Sequence, residues 1–218
     1  MRCTAILVTR GNVPLDEIVT SCQDQETFRN GVIWDNSKHL NFNVFGRYVA
    51  ATQMQNLPVI YFQDDDCVTD PAAIVKQWEP GKIVCNMPIA LGHRANYENQ
   101  LDKLMGFGSV CERSLIKETF ERYWKYFPID QVCLREADRI FTGLNAERIK
   151  LVDVPVRNLE WATAPDRLYR EPGHQGFLGL ARERVRAVLF YESGGLKPNT
   201  IWTANEAAAA QPSTPEAK

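Results

Sequence analysis

The stretch VIYFQDDDCVTDP, residues 59–71, decides how this chain is read. Residues 59–62 are apolar and β-favouring, which predicts a buried strand. Asp64, Asp65 and Asp66 then stand side by side, and Asp70 precedes Pro71, the pattern of a helix N-cap with proline at the first helical position. Neighbouring carboxylates repel, so the triplet needs a use. Three uses compete: a solvated turn, an oxygen-rich cation site, or a nucleophilic aspartate with an acid/base partner two residues on.

Working outward, the strand–turn–helix unit recurs. CTAILVTRGN (3–12) is an apolar run closed by turn residues, and LDEIVTSCQ (15–23) follows with helical spacing. GVIWDNS (31–37) is a second strand and GRYVAATQM (46–54) a second helix; KIVCNMP (82–88) is a strand beyond the triplet. Strands alternating with helices predict an α/β domain built on a mainly parallel, Rossmann-like sheet flanked by helices. Polar clusters close the strands at residues 9–12, 35–36 and 64–66, and ligands bind such sheets at the carboxyl ends of strands.

Further along, MGFGSVCERSLI (105–116) reads as a glycine-punctuated strand leading into a helix. SLIKETFERYWKYF (114–127) is an amphipathic helix whose aromatic face belongs to a core. IDQVCLREADRIFTGL (129–144) reads as one further helix, IKLVDVPV (149–156) as a late strand, and residues 167–186 as a loop followed by an Arg-rich helix. Residues 1–203 are read as a single domain and the Ala/Pro/Thr-rich residues 204–218 as a disordered tail.

Composition narrows the class. The 218 residues are 44% hydrophobic, enough for a core, and a net charge of −2 gives no global field for a polyanion. No apolar run reaches the ~20 residues of a membrane helix. Cys3, Cys22, Cys67, Cys85, Cys111 and Cys133 are scattered without a metal-binding spacing, which suits reduced thiols in a cytoplasmic protein.

LVTRGN, VIWDNS, GRYVAA, YFQDDDCVTDP, GFGSV, IDQVCLREADRIFT and the late PGH, in this order, resemble the GT-A class of glycosyltransferases, and within it the small family-2-like members. The resemblance covers about residues 2–190. It implies a GT-A-type single domain that moves a sugar from a nucleotide diphosphate sugar, UDP by preference, to an acceptor hydroxyl, with Mn²⁺ or Mg²⁺ as cofactor. It puts Thr9, Arg10 and Gly11 around the nucleoside diphosphate, Asp35 and Asn36 at the base, and Arg47 towards the diphosphate. It assigns Asp64 and Asp65 mainly to the ribose and Asp66 to the metal, with Asp64 contributing and His174 as a late ligand. Gly106, Phe107 and Gly108 fall where backbone approaches sugar and acceptor. Trp161 is either a sugar platform or a buried tryptophan. Inverting transfer needs a carboxylate base, and Asp130 matches its place best, although Ile129 stands where the family shows Glu; Asp138 is the second choice and an N-cap role for Asp130 the bland one. The acceptor is open: a modified DNA base, a glycan or a small molecule.

Two other functions fit parts of the chain. A haloacid-dehalogenase-like phosphatase would use Asp64 as nucleophile and Asp66 as acid/base, but the triplet follows two earlier strand–helix units and no later acidic pair stands out. A non-catalytic nucleotide-sugar-binding module would keep the pocket without a base. A nucleotidyltransferase would need a Gly-rich phosphate loop that VTRGNVPLDE lacks.

Overall fold

The computed structural model describes residues 2–38, 40–54, 58–165 and 167–195. The expected tail, 204–218, and the domain end at 203 lie outside the described residues. Strands β1 (Cys3–Thr9), β2 (Phe28–Asp35), β3 (Val59–Asp64), β5 (Ile83–Asn86), β6 (Ser109–Glu112) and β7 (Ile149–Val152) form one sheet in the order β2-β1-β3-β6-β5-β7. β1 is parallel to both β2 and β3, and β5 is parallel to β7. Only β6 is reversed, antiparallel to β3 and β5. The α/β architecture expected from the alternation is the one observed.

Every residue of β1 is buried, as a central strand covered on both faces requires. The connections carry the short helices α1 (Asp16–Ser21) and α2 (Gly46–Gln53), and α3 (Pro71–Val75) follows the triplet. Asp70 caps α3 as expected, accepting from the Ala73 N–H at 3.0 Å. The small helix α4 (His93–Tyr97) lies in the long return from β5 to β6. On one sheet face, α5 (Arg113–Trp124), α7 (Ala137–Leu144) and α8 (His174–Glu192) join α2 around Phe45, Tyr48, Phe62, Phe120 and Phe141. Tyr61, Ile74, Val84 and Val110 fill the other face. The aromatic face of α5 is core at Phe120 and Tyr123, whereas Trp124 is 40% exposed.

Two elements differ from the expectation, and both shape the site. Cys67 and Val68, which the sequence offers only as spacers, begin a strand, β4 (Cys67–Thr69), that pairs antiparallel with β8 (Val156–Asn158). This ladder fastens the chain after the triplet to the late loop. Residues 129–144 do not form one helix: α6 (Gln131–Arg135) ends at Glu136 and α7 starts at Ala137. The break falls at Glu136, whose backbone (φ −113°, ψ 26°) leaves the helical region, although its N–H still donates to the Val132 carbonyl at 3.0 Å and its carbonyl accepts from the Ile140 N–H at 3.1 Å. The six cysteines are free thiols, and no described helix is long and apolar enough to cross a membrane.

Candidate functional site

The carboxyl ends of β1 and β3 are adjacent, with Val8 registered against Asp64. The loop after β2, the start of α2, the α6–α7 break and the segment 167–174 surround these ends and enclose a cavity of about 280 Å³. Thr9, Arg10, Asn36, Arg47, all three triplet carboxylates and His174 line it, so most of the expected donor and metal residues do come together.

The triplet is divided, but not as the resemblance implies. Asp64 gives one oxygen to the guanidinium of Arg47. Its other oxygen lies where a Cβ on Gly106 would sit, and its backbone N–H donates to the Gly106 carbonyl at 3.0 Å. Gly106 thus serves the placement of Asp64 and does not line the cavity. Asp65 is 4% exposed and its carboxylate is taken up by the protein itself. One oxygen accepts from Thr9 Oγ1 at 2.8 Å and from the Arg10 N–H at 3.3 Å; the other accepts from Arg167 Nη1 at 2.5 Å. Its carbonyl accepts from Trp161 Nε1 at 2.6 Å. Asp65 is thus a buried anchor that joins β1, β3 and the late loop. Asp66 differs from both: Arg167 stands 3.8 Å from its carboxylate, farther than from that of Asp65. Burial, with Asp64 and Asp65 alongside, pushes its carboxyl up to about 7.

Several other expectations change. Arg47 is 1% exposed and bridges Asp64 to Asp138, whose oxygen lies 3.3 Å from Nη1. Asp138 also accepts from Tyr48 Oη at 2.8 Å, so it serves the wall of the cavity. Asp35 holds Ser37 and Lys38 and is absent from the lining; Gly11, at φ +80°, lets the two loops meet, since a Cβ there would strike Asp35 and Ser37. Asn36 accepts from Trp34 Nε1 and the Phe42 N–H, fastening the loop after β2. Phe107 and Gly108 stay outside the lining: the Phe107 carbonyl accepts from Asn86, and Gly108 sits against Tyr61 and Ile74. Trp161 is half-buried, packs against Leu7 and Leu159, and does not line the cavity.

Asp130 is not brought to the cavity. It is the N-cap of α6, accepting from the Cys133 N–H at 3.1 Å, and both oxygens are gripped by Arg184 at 2.9 and 2.8 Å. Burial opposes its ionisation, but these bonds outweigh it and hold the carboxyl below its ordinary value. Its geometry is that of a structural cap paired with Arg184. Asp130→Ala should lower stability by about 1 kcal/mol through loss of the cap. Asp130→Asn, which still caps, should leave turnover per folded molecule within twofold of wild type in an activity assay normalised by unfolding curves.

The residue that sequence reading missed is Glu136. It lines the cavity, is 3% exposed, and its Oε1 lies 3.2 Å from His174 Nδ1 without hydrogen-bond geometry in either direction. Burial, reinforced by Asp138, raises its carboxyl to about 7. Burial, with Arg139 and Arg135 nearby, lowers the imidazole of His174 below its usual value. His174 thus faces Glu136, and among the described residues no three His, Cys, Asp or Glu side chains converge as a metal-holding group. The Asp64–Asp66–His174 ligand set is not assembled. The clue available in the sequence was Glu-Ala-Asp, two acids straddling a helix break.

No protein-family model matches the chain, and no curated protein matches it. Among solved structures it is similar, over 73% of its length and 86% of that chain, to A197 from STIV, with 12% identity and a TM-score of 0.42. Over 90% of its length it is similar to 82% of glucosyl-3-phosphoglycerate synthase from Mycobacterium tuberculosis in complex with Mn²⁺, UDP-glucose and glycerol 3-phosphate, with 11% identity and a TM-score of 0.46. The same enzyme with Mn²⁺, UDP and phosphoglyceric acid gives 11% identity, a TM-score of 0.47, and 90% and 80% coverage of the two chains. At these identities and TM-scores the likenesses decide nothing about activity.

Proposed function

We propose that the chain is a metal-dependent glycosyltransferase that takes a nucleotide diphosphate sugar, UDP by preference, at the carboxyl ends of β1 and β3. The observation that carries this is Asp66. It is a cavity-lining carboxylate whose Arg167 neighbour stands 3.8 Å away, while Arg47 and Arg167 pair closely with Asp64 and Asp65. Such a group fits a hard divalent ion, Mn²⁺ or Mg²⁺, held by one carboxylate with substrate phosphates and waters completing the shell. When bound, the ion would neutralise charge developing on the leaving diphosphate.

The chain's own residues then divide the work. Arg47 fixes Asp64, and Asp65 ties β1, β3 and the late loop into one frame. Arg167 sets the position of the anchored triplet, and its Nη2 has no acceptor among the described residues. Glu136 is placed to take the acceptor's proton, since its poise near neutrality matches what a general base needs. The phosphatase alternative is disfavoured because one oxygen of Asp64, the required nucleophile, is paired with the Arg47 guanidinium and the other lies against Gly106.

Glu136 also dictates a pH response. Its folded value lies above the ordinary glutamate value of about 4.3. Between the two, the folded chain holds more protons than the unfolded one, so stability falls as pH rises through this window. The melting temperature of the ligand-free protein should therefore rise on acidification from about pH 7 towards 5, and Glu136→Gln should reduce that rise, leaving the share of Asp66, whose carboxyl is raised to about 7 as well. The same variant should transfer about a hundredfold more slowly while binding UDP as before.

The reading is tested by incubating the protein with Mn²⁺ and a panel of nucleotide sugars and measuring nucleotide release and sugar transfer. Turnover of one donor supports it. Binding without turnover against any acceptor would point to the binding module, and phosphate release from a phosphoester with no nucleotide sugar present would point to the phosphatase.

A further inference from the structure

Arg135, the last residue of α6, lines the cavity, and its guanidinium is held from two sides. Nη1 is 2.7 Å from Glu171 Oε2, and Cζ stands 4.6 Å over the ring of Phe177 in the first turn of α8. Its remaining donors, Nε and Nη2, are buried and have no hydrogen-bond partner among the described residues. These two nitrogens lie along one edge of the guanidinium and present parallel N–H groups, the fork that matches two oxygens of a phosphate or carboxylate. Folded proteins rarely leave charged donors buried without an acceptor. Here the plane is fixed and the fork is already oriented.

The neighbours of the fork matter as much as the fork. Glu136 follows it directly in sequence and lines the same cavity with His174. Arg139, on α7, adds positive charge 3.7 Å from Glu136, although its Nη1 is bonded to Asp102. The triplet lies on other elements, β3 and its turn, and is served by Arg47 and Arg167. The donor end and the Arg135 end therefore have separate cations.

We propose that Arg135 seats the anionic group of the acceptor, so that the substrate receiving the sugar is a small hydroxyl-bearing acid carrying a phosphate or a carboxylate. This rests on the glycosyltransferase reading above. An anion on the fork anchors the acceptor beside Glu136, where its hydroxyl proton can be taken.

The test uses the full chain with UDP and Mn²⁺, and two minimal probes, methyl phosphate and acetate, each titrated by calorimetry with UDP and Mn²⁺ present. The wild type should bind at least one probe, and the stronger of the two identifies the acid. Arg135→Gln should weaken that probe at least tenfold and leave UDP affinity within twofold. Arg135→Lys, which keeps the charge without the fork, should fall between them and guards against a folding defect. Unchanged probe binding in Arg135→Gln would overturn the proposal, as would an equal loss of UDP binding, which would give the fork to the donor. A wild type that binds UDP but neither probe would overturn the acceptor site alone. A wild type that binds a probe but no UDP would overturn the glycosyltransferase reading, and the acceptor assignment with it.

Discussion

Asp66→Ala is expected to reduce metal-dependent donor turnover by about a thousandfold while leaving the fold intact. The size follows from what the residue faces. Arg47 and Arg167 pair closely with Asp64 and Asp65, whereas Arg167 stands 3.8 Å from Asp66, too far for a close pair. A cation brought to the cavity has Asp66 as its uncommitted carboxylate, and without it the diphosphate would meet Asp64 and Asp65 with no added positive charge. The fold should survive because ionised Asp66 opposes folding: its carboxyl is pushed to about 7 by burial and by the two neighbouring acids. The melting temperature of the variant at pH 8 should equal or exceed that of the wild type. Nucleotide release with Mn²⁺, read beside a thermal melt, checks both halves. Activity within tenfold of wild type would remove Asp66 from the site.

Asp65→Ala should do the reverse, destabilising the protein by about 3–5 kcal/mol, because it leaves a buried cation without its partner. Arg167 Nη1 sits on Asp65 at 2.5 Å, and both side chains are nearly buried, 8% and 5% exposed. Thr9 and the Arg10 N–H lose their acceptor in the same change. Together these bonds connect the end of β1 with Asp65, 56 positions from Thr9, and Asp65 with Arg167, 102 positions further on, so the cavity loses its frame along with the energy. Urea unfolding of the variant and wild type measures the difference. A loss below 1 kcal/mol would mean that Asp65 is not the anchor.

These two neighbours show what sequence can and cannot disclose. The end of β3 was legible because an apolar strand stops at an acidic turn, and the helix after it because Asp70-Pro71 has a local meaning. Asp65 and Asp66 are chemically identical, and what separates them is Arg167, 102 residues from Asp65 in sequence and close only in the fold. Asp130 was legible as a possible cap, yet its engagement by Arg184 lies 54 residues away. Glu136 was hidden because the helical periodicity of residues 129–144 runs through the break at which it lines the cavity. The reversal of β6 was equally hidden, since an apolar run carries no sign of its direction.

The central claim is that a nucleotide diphosphate binds at the triplet through a cation. Calorimetric titration of UDP into the protein, with Mn²⁺ and again with chelator, tests it most directly. The predicted result is saturable binding that requires Mn²⁺ in the wild type and is lost in Asp66→Ala. UDP binding of equal strength with chelator, or undiminished in Asp66→Ala, would contradict it.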